Sequence, residues 1–309
     1  LTALFAADQV LQPLDAGSFL SIKLSILFFL LLTAFLFWLW TRDLWVTLIL
    51  YFALLLNSAA LGYIDIYFAP GLVLSLWLLK SRRWFWFSLV FTLTCLTKWQ
   101  PLIIAPFMAL YLLGVQDGRG WRQVDWKRLA QQLVLPAAAL TALVLSLFGL
   151  QPVWLALRAS LSHPYLSGNA LNLNWIITHW LHVFNPNQFG GLQNGLSGYI
   201  VTDSLRITLV PRLLFIGAYL LALGMFFRRE KTFSNLLIFS TLGFLSYYTF
   251  NTGVHENHLF LAAILAVGLY HQVETWRVNA LILLLMANVN LFLFYGVDGE
   301  LHFPRVFAG

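Results

Sequence analysis

The sequence has little charge and almost no cysteine. Of its 309 residues only 10% are Asp, Glu, Lys or Arg, while 60% are hydrophobic and the mean hydropathy is +0.79. A soluble domain of this length carries about 25% charged residues, so the composition excludes one and points to lipid as the solvent. The single cysteine, Cys95, lies inside an apolar run. That excludes an intrachain disulfide framework and a cysteine-based metal site and leaves inert packing. The sequence also lacks a Walker loop, a dinucleotide glycine fingerprint and a Ser-centred nucleophile elbow, so no motif points to nucleotide or acyl chemistry. The chain opens on Leu1 rather than methionine and is expected to be an N-terminally truncated piece of a single polytopic domain, 1–309.

Aromatic residues and long apolar runs take the place of what is missing. Thirteen Trp and 27 Phe suit rings at the headgroup level or facing lipid. A helix crosses the hydrocarbon core in about 20 apolar residues. That ruler predicts an all-α integral membrane protein of about ten transmembrane helices, near Leu20–Trp40, Leu44–Leu61, Ile66–Leu79, Trp84–Thr97, Pro101–Gly114, Leu129–Leu150, Ile207–Phe227, Phe233–Phe250, Leu259–His271 and Val278–Gly296. The third, fourth, fifth and ninth are short, and need flanking residues to finish a crossing or are partly re-entrant.

The net charge of +6 does not indicate a nucleic-acid partner, because the cations fall in short clusters between apolar runs. One alternating set of connections holds twelve of the 18 basic residues, including Arg42, Lys80, Arg82, Arg83, Lys127, Arg128 and Arg277; the other holds six. Basic residues are retained in the cytoplasm, so the first set is predicted to be cytoplasmic. The stretch from Val115 to Arg128, with Trp121 and Trp126, reads as an interfacial segment. Asp65, Lys98, the loop 151–206, His255 to His258 and Asp298 to His302 then face outside. Within that loop, Asn172 to His182 has helical apolar spacing with Trp and His interleaved, which predicts a helix lying flat on the outer leaflet.

An ionisable residue at the end of an apolar helix demands a reason. Lys98, with Gln100 after it, suits a cation and an amide reaching a phosphate at the outer headgroup level; a snorkelling helix anchor is the alternative. Asp65 is read as orienting a sugar hydroxyl or pairing with Lys98. In His255-Glu256-Asn257-His258 the imidazoles are three residues apart, where a zinc helix needs four. His255 donating to a leaving-group oxygen, with Glu256 fixing its tautomer or binding a sugar hydroxyl, is the functional reading, and helix capping the structural one. Asp298-Gly299-Glu300 reads as solvated loop. His163-Pro164 and the amides Asn169, Asn172 and Asn174 either read hydroxyl patterns or cap helices.

Ile22-Lys23-Leu24, Gly62 to Asp65, Lys98 to Pro101 with Pro106, Asn169 to Trp175, and His255-Glu256 before an apolar helix follow one another in this order. Together they resemble the GT-C class of membrane glycosyltransferases. The nearest similarity is to prokaryotic mannosyltransferases related to the enzyme that adds the second mannose of the GPI anchor, and it extends over nearly the whole chain. The resemblance implies an inverting transfer of a hexose, mannose by this similarity, from a polyprenyl-phosphate carrier to a lipid-linked or glycan acceptor. The transfer would take place on the outer face of a bacterial or archaeal cell membrane. It assigns the phosphate role to Lys98, Gln100 and His255. With the residue readings above, the candidate donor and substrate contacts are Asp65, Lys98, Gln100, Asn172, Asn174, His255, Glu256 and His258. No cofactor is expected, and the absence of an Asp-x-Asp pair gives no indication of a metal. In similar enzymes the catalytic base is an aspartate after a first helix, expected here upstream of Leu1; neither Asp8 nor Asp15 matches it, and Asp65 is the fallback. Tyr63 stands where relatives often carry glutamine. A transporter or flippase of a lipid-linked sugar, or a non-catalytic membrane subunit, are the alternatives.

Overall fold

The computed structural model describes residues 18–114, 124–161, 165–192, 197–202 and 204–295. Asp8, Asp15, Trp121, His163-Pro164 and Asp298 to His302 lie outside the described residues. The chain is helical, and each predicted span is helical over most of its length. In order these are α1 (Ser18–Thr41), α2 (Leu44–Leu55), α3 (Ala69–Lys80), α4 (Trp84–Thr97), α5 (Ala105–Leu113) and α6 (Trp126–Phe148). After the long loop come α10 (Leu205–Arg228), α11 (Phe233–Phe250), α12 (Leu259–Gln272) and α13 (Arg277–Tyr295). Among the described residues four helical runs are long and apolar enough to cross a membrane: Leu20–Thr41, Trp126–Phe148, Leu205–Arg228 and Glu274–Tyr295. The other predicted crossings are shorter or less apolar, so the count of ten is not reached on helix length and composition.

Local chemistry sets the breaks. Asp43 caps α2 by accepting from the backbone N–H of Trp45 and Val46, supplying partners that the first helical turn lacks. α2 runs on as a π turn over Leu56–Ala60. Two of that turn's carbonyls accept from the Lys23 ammonium of α1 at 2.8 and 2.6 Å, which offsets the negative end of the helix. Gly62, at φ +81, then reverses the chain into a 3-10 turn, Ile64–Phe68, that leads α3.

α12 is the axis of the bundle. Every residue from Leu259 to Leu269 is buried, against α2, α3, α11 and α13, as a helix that is apolar all round requires. α6 is the opposite case: it is equally apolar, yet only 6% of its most apolar 18-residue window is buried. A helix with that surface needs an apolar solvent or an apolar neighbour.

The loop 151–206 is more structured than its sequence suggests. It opens with an unpredicted helix, α7 (Leu150–Leu161), whose Trp154 and Leu155 are exposed. The helix predicted at Asn172 to His182 is α8 (Leu173–Phe184), followed by the single turn α9 (Pro186–Phe189). α8 is inverted relative to a soluble helix: Asn174, Thr178 and His182 face inward, while Ile176, Trp180, Val183 and Phe184 face out. Among the described residues one two-residue parallel pair, β1 (Ser167–Gly168) with β2 (Val254–His255), ties the loop to the start of α12 within an otherwise helical fold, as the all-α expectation has it.

Candidate functional site

The ends of α3, α4, α12 and α13 bring together residues that are far apart in sequence. The 3-10 turn before α3 points Asp65 into the bundle, where it is fully buried. Lys98, extended at the C-terminal end of α4, forms an ion pair with Asp65 Oδ1. Asp65 Oδ2 accepts from Asn257 Nδ2 at 2.7 Å. Both carboxylate oxygens are therefore engaged, which makes Asp65 the less available of the two buried carboxylates. A carboxylate already holding an ammonium and an amide is poorly available to take a proton.

Glu256 is the carboxylate held ready. It begins the 3-10 turn Glu256–His258 that leads α12. Its Oε1 accepts from the Tyr63 hydroxyl at 2.5 Å and the Tyr295 hydroxyl at 3.3 Å. Its own backbone N–H also favours the carboxylate. Burial pushes the Glu256 carboxyl above the usual range, and the Tyr63 hydrogen bond, the Tyr295 hydrogen bond and the positive charge of Lys98 only partly offset this. Burial and the negative charge of Glu256 push the Tyr63 hydroxyl well up, so it stays a donor.

A shell of amides positions this carboxylate. Asn290 Nδ2 donates to the Glu256 carbonyl at 3.1 Å, while Asn290 Oδ1 accepts from Leu171 N at 2.7 Å and the Tyr248 hydroxyl at 3.1 Å. Asn169 Nδ2 donates to the Tyr295 hydroxyl at 3.1 Å. Gln100, in the 3-10 turn after Lys98, is buried with neither amide atom hydrogen-bonded among the described residues. An unmet buried amide is costly, so Gln100 is a group in want of a partner.

The histidines sit behind this centre. His258 Nδ1 faces both the His255 backbone N–H and the Tyr247 hydroxyl, at 3.3 and 3.2 Å, and its ring stacks on Tyr247. The His255 ring lies edge-on to His258 and Tyr165, against the backbone of Gly168. A Cβ at Gly168 would come within 2.3 Å of His255 Nδ1, so only glycine lets the imidazole lie against this strand. Among the described residues, no three His, Cys, Asp or Glu side chains converge to hold a metal.

Asn172 and Asn174 both bind backbone here, while Asn174 Oδ1 is buried with no hydrogen bond among the described residues. Asn172 Oδ1 caps α8 at Trp175 N (3.0 Å) and its Nδ2 donates to the Tyr248 carbonyl (2.9 Å). Asn174 Nδ2 donates to the carbonyls of Phe250 and Asn251 at 3.0 and 2.8 Å. Both amides staple α8 to the end of α11. Asp65, Lys98, Gln100, His255, Glu256 and His258 all lie at one end of the bundle, whereas Tyr295, Asn257 and Asn290 were not singled out from sequence. An apolar-run asparagine such as Asn290, and a polar position beside the predicted His-Glu pair such as Asn257, were the available signals. Compared with known proteins, the chain matches no family model, no curated protein and no solved structure.

Proposed function

We propose that this chain is a multi-pass membrane glycosyltransferase of the GT-C kind, moving a hexose from a polyprenyl-phosphate carrier to a lipid-linked or glycan acceptor outside a bacterial or archaeal cell membrane. The observation that carries the reading is the pairing of two buried carboxylates with different duties at one end of the bundle. Asp65 is occupied by Lys98 and Asn257, whereas Glu256 is held by two tyrosine hydroxyls and has no ion-pair partner among the described residues. Two carboxyl groups set apart by their surroundings suit proton chemistry next to a charge-stabilising group.

Glu256 Oε2 takes the proton of the acceptor hydroxyl as that oxygen bonds to the anomeric carbon, from the side opposite the phosphate. The bond between the anomeric carbon and the phosphate oxygen breaks, and its electron pair leaves on polyprenyl phosphate. Lys98, held in place by Asp65, and the unmet Gln100 amide receive the charge that grows there. Tyr63 and Tyr295 are positioning residues, fixing Oε1 so that Oε2 faces the acceptor. The outward apolar faces of α7 and α8 hold the loop at the level of the lipid headgroups where such a donor lies.

The test is transfer of label from polyprenyl-phosphate mannose to membrane lipid extract by the purified chain in lipid. Glu256→Gln is expected to lower transfer by about 10²–10⁴-fold with donor binding kept, and Lys98→Ala to weaken donor binding as well. Label that crosses the bilayer without forming product would replace the reading with a flippase. Product formation equal to the parent's in Glu256→Gln would remove Glu256 from the chemistry.

A further inference from the structure

At the other end of the helices an apolar groove of about 380 Å³ opens between α4, α5 and α6. Its walls are Phe87 and Phe91 of α4, Met108 and Leu112 of α5, and Leu129 and Leu133 of α6. The volume falls within the roughly 300–1,000 Å³ of small-molecule sites. The groove has little polarity to offer: Ser88, one of its few polar lining side chains, donates its hydroxyl to the Leu133 carbonyl at 2.5 Å. One end of the groove is different. Phe87 and Trp126 line it at the first turns of α4 and α6, and the neighbouring Arg82, Arg83, Lys127 and Arg128 are exposed. The Arg128 guanidinium lies over the Trp84 ring, 4.8 Å from its centroid, which brings the α6 cations beside those that precede α4. Among the described residues none of these four cations is paired with a carboxylate. The nearby Asp125 spends Oδ1 on the Arg128 backbone N–H at 2.9 Å.

We infer that this groove is a binding site for one anionic phospholipid, with an acyl chain between α4, α5 and α6 and the phosphate against Lys127, Arg128 and Arg83. The inference rests on the helices lying in a bilayer, and not on glycosyl transfer. An apolar slot alone would accept any chain. Exposed cations beside one end of it select a negative headgroup, because each Lys or Arg near an anionic lipid surface contributes about 1 kcal/mol, or roughly fivefold in affinity. The site is on the opposite end of the bundle from Glu256, so its lipid is structural or regulatory and is not the sugar donor.

The experiment measures lipid retention by native mass spectrometry, and thermal stability, of the purified full chain in mild detergent. Phosphatidylglycerol and phosphatidylcholine with identical chains are titrated in parallel. The parent is expected to retain one phosphatidylglycerol with at least about tenfold preference over phosphatidylcholine and to gain thermal stability from it. Lys127→Gln with Arg128→Gln should abolish the preference, and Ala130→Phe, which fills the groove, should lose the retained lipid of either headgroup. sn-Glycerol 3-phosphate alone should bind no better to the parent than to the double variant. Equal retention of the two lipids by the parent would overturn the inference without any variant. So would a preference that survives the double variant, or a lipid retained undiminished by Ala130→Phe.

Discussion

Cations at the two ends of these helices are held in opposite ways. At one end Arg42 lies over Trp38, Lys80 over Phe233, Arg128 over Trp84 and Arg277 over Tyr270, each 4.8–5.6 Å from a ring centroid and each within reach of solvent or headgroups. At the other end Lys98 is tucked against the fully buried Asp65, with Glu256 near enough for their charges to interact. The residue types are the same, but the energetics differ. An exposed cation on a ring is worth about 0.5–1 kcal/mol and can be shed cheaply. A buried pair cannot lose one member without stranding the other. The first end suits anchoring and lipid contact, and the second suits chemistry.

The sharpest way to break this contrast is to remove one half of the buried pair. Lys98→Met strands the fully buried Asp65 carboxylate and is expected to destabilise the protein by about 3–5 kcal/mol. Asp65→Ala leaves a lysine that is 27% exposed and should cost less, and the double variant Asp65→Leu with Lys98→Met should recover most of the Lys98→Met loss. Thermal unfolding in detergent reads all three. Single variants that unfold at the parent temperature would show the pair to be as dispensable as the ring-bound cations.

A smaller effect follows from Gly168. Gly168→Ala drives a methyl into the His255 ring, and relief by moving the imidazole or the strand is expected to cost about 1–3 kcal/mol. The loss should be accompanied by reduced transfer, because β1 and β2 carry Asn169 and Glu256 on either side of that contact. A fully active and stable Gly168→Ala would mean that the strand pair does not position the site.

The acid limb of activity sharpens the comparison further. On the proposed transfer Glu256 must be ionised to act as the base, so activity is expected to rise with pH through its raised pKa. The Tyr63 hydrogen bond favours the carboxylate, so Tyr63→Phe should move that limb to higher pH without changing the plateau greatly. Stability runs the other way. A carboxyl whose pKa is raised on folding contributes stability that is full below the unfolded value, 4.5, and is lost as pH rises through the folded one. Glu256→Gln should remove that decline, measured as a flatter dependence of unfolding temperature on pH. A Tyr63→Phe profile that overlays the parent's would detach the tyrosine from the base.

Much of this contrast was legible in the sequence, and the reasons it was not wholly so are physical. Apolar runs with polar breaks predict helices because both signals are local: Trp84–Thr97 is helical over its predicted length, and the sorting of Lys98, Asp65 and His255 away from Arg42, Lys80 and Arg277 follows from alternation alone. The direction of a side chain is not local. Asn172 and Asn174 have the chemistry of substrate contacts, yet packing of α8 against the end of α11 turns them onto backbone carbonyls. The grip on Glu256 depends on Tyr63 and Tyr295, 193 and 39 positions away, and nothing in either tyrosine's neighbourhood announces it. The π turn after α2 and the 3-10 turn before α3 aim Asp65 inward, and both sit inside or beside runs that read as plain helix.

The smallest expected effect belongs to the ring-bound end. Arg42 is exposed, carries no carboxylate partner among the described residues, and touches Trp38 at 5.1 Å. Its backbone sits at φ +55 between α1 and α2, but Arg42→Gln leaves that strain as it is and removes only the charge over the ring. The cost should stay below about 1 kcal/mol, with transfer activity unchanged, since α1 and the whole bundle separate Arg42 from Glu256. Thermal unfolding and label transfer on the same preparation measure both. A loss comparable to that of Lys98→Met would mean that Arg42 is held by more than a ring, and the two ends would no longer differ in kind. If the loss is small and salt does not change it, the ring contact and not a general surface field accounts for it, because screening weakens charges exposed to water more than one pressed on an aromatic face.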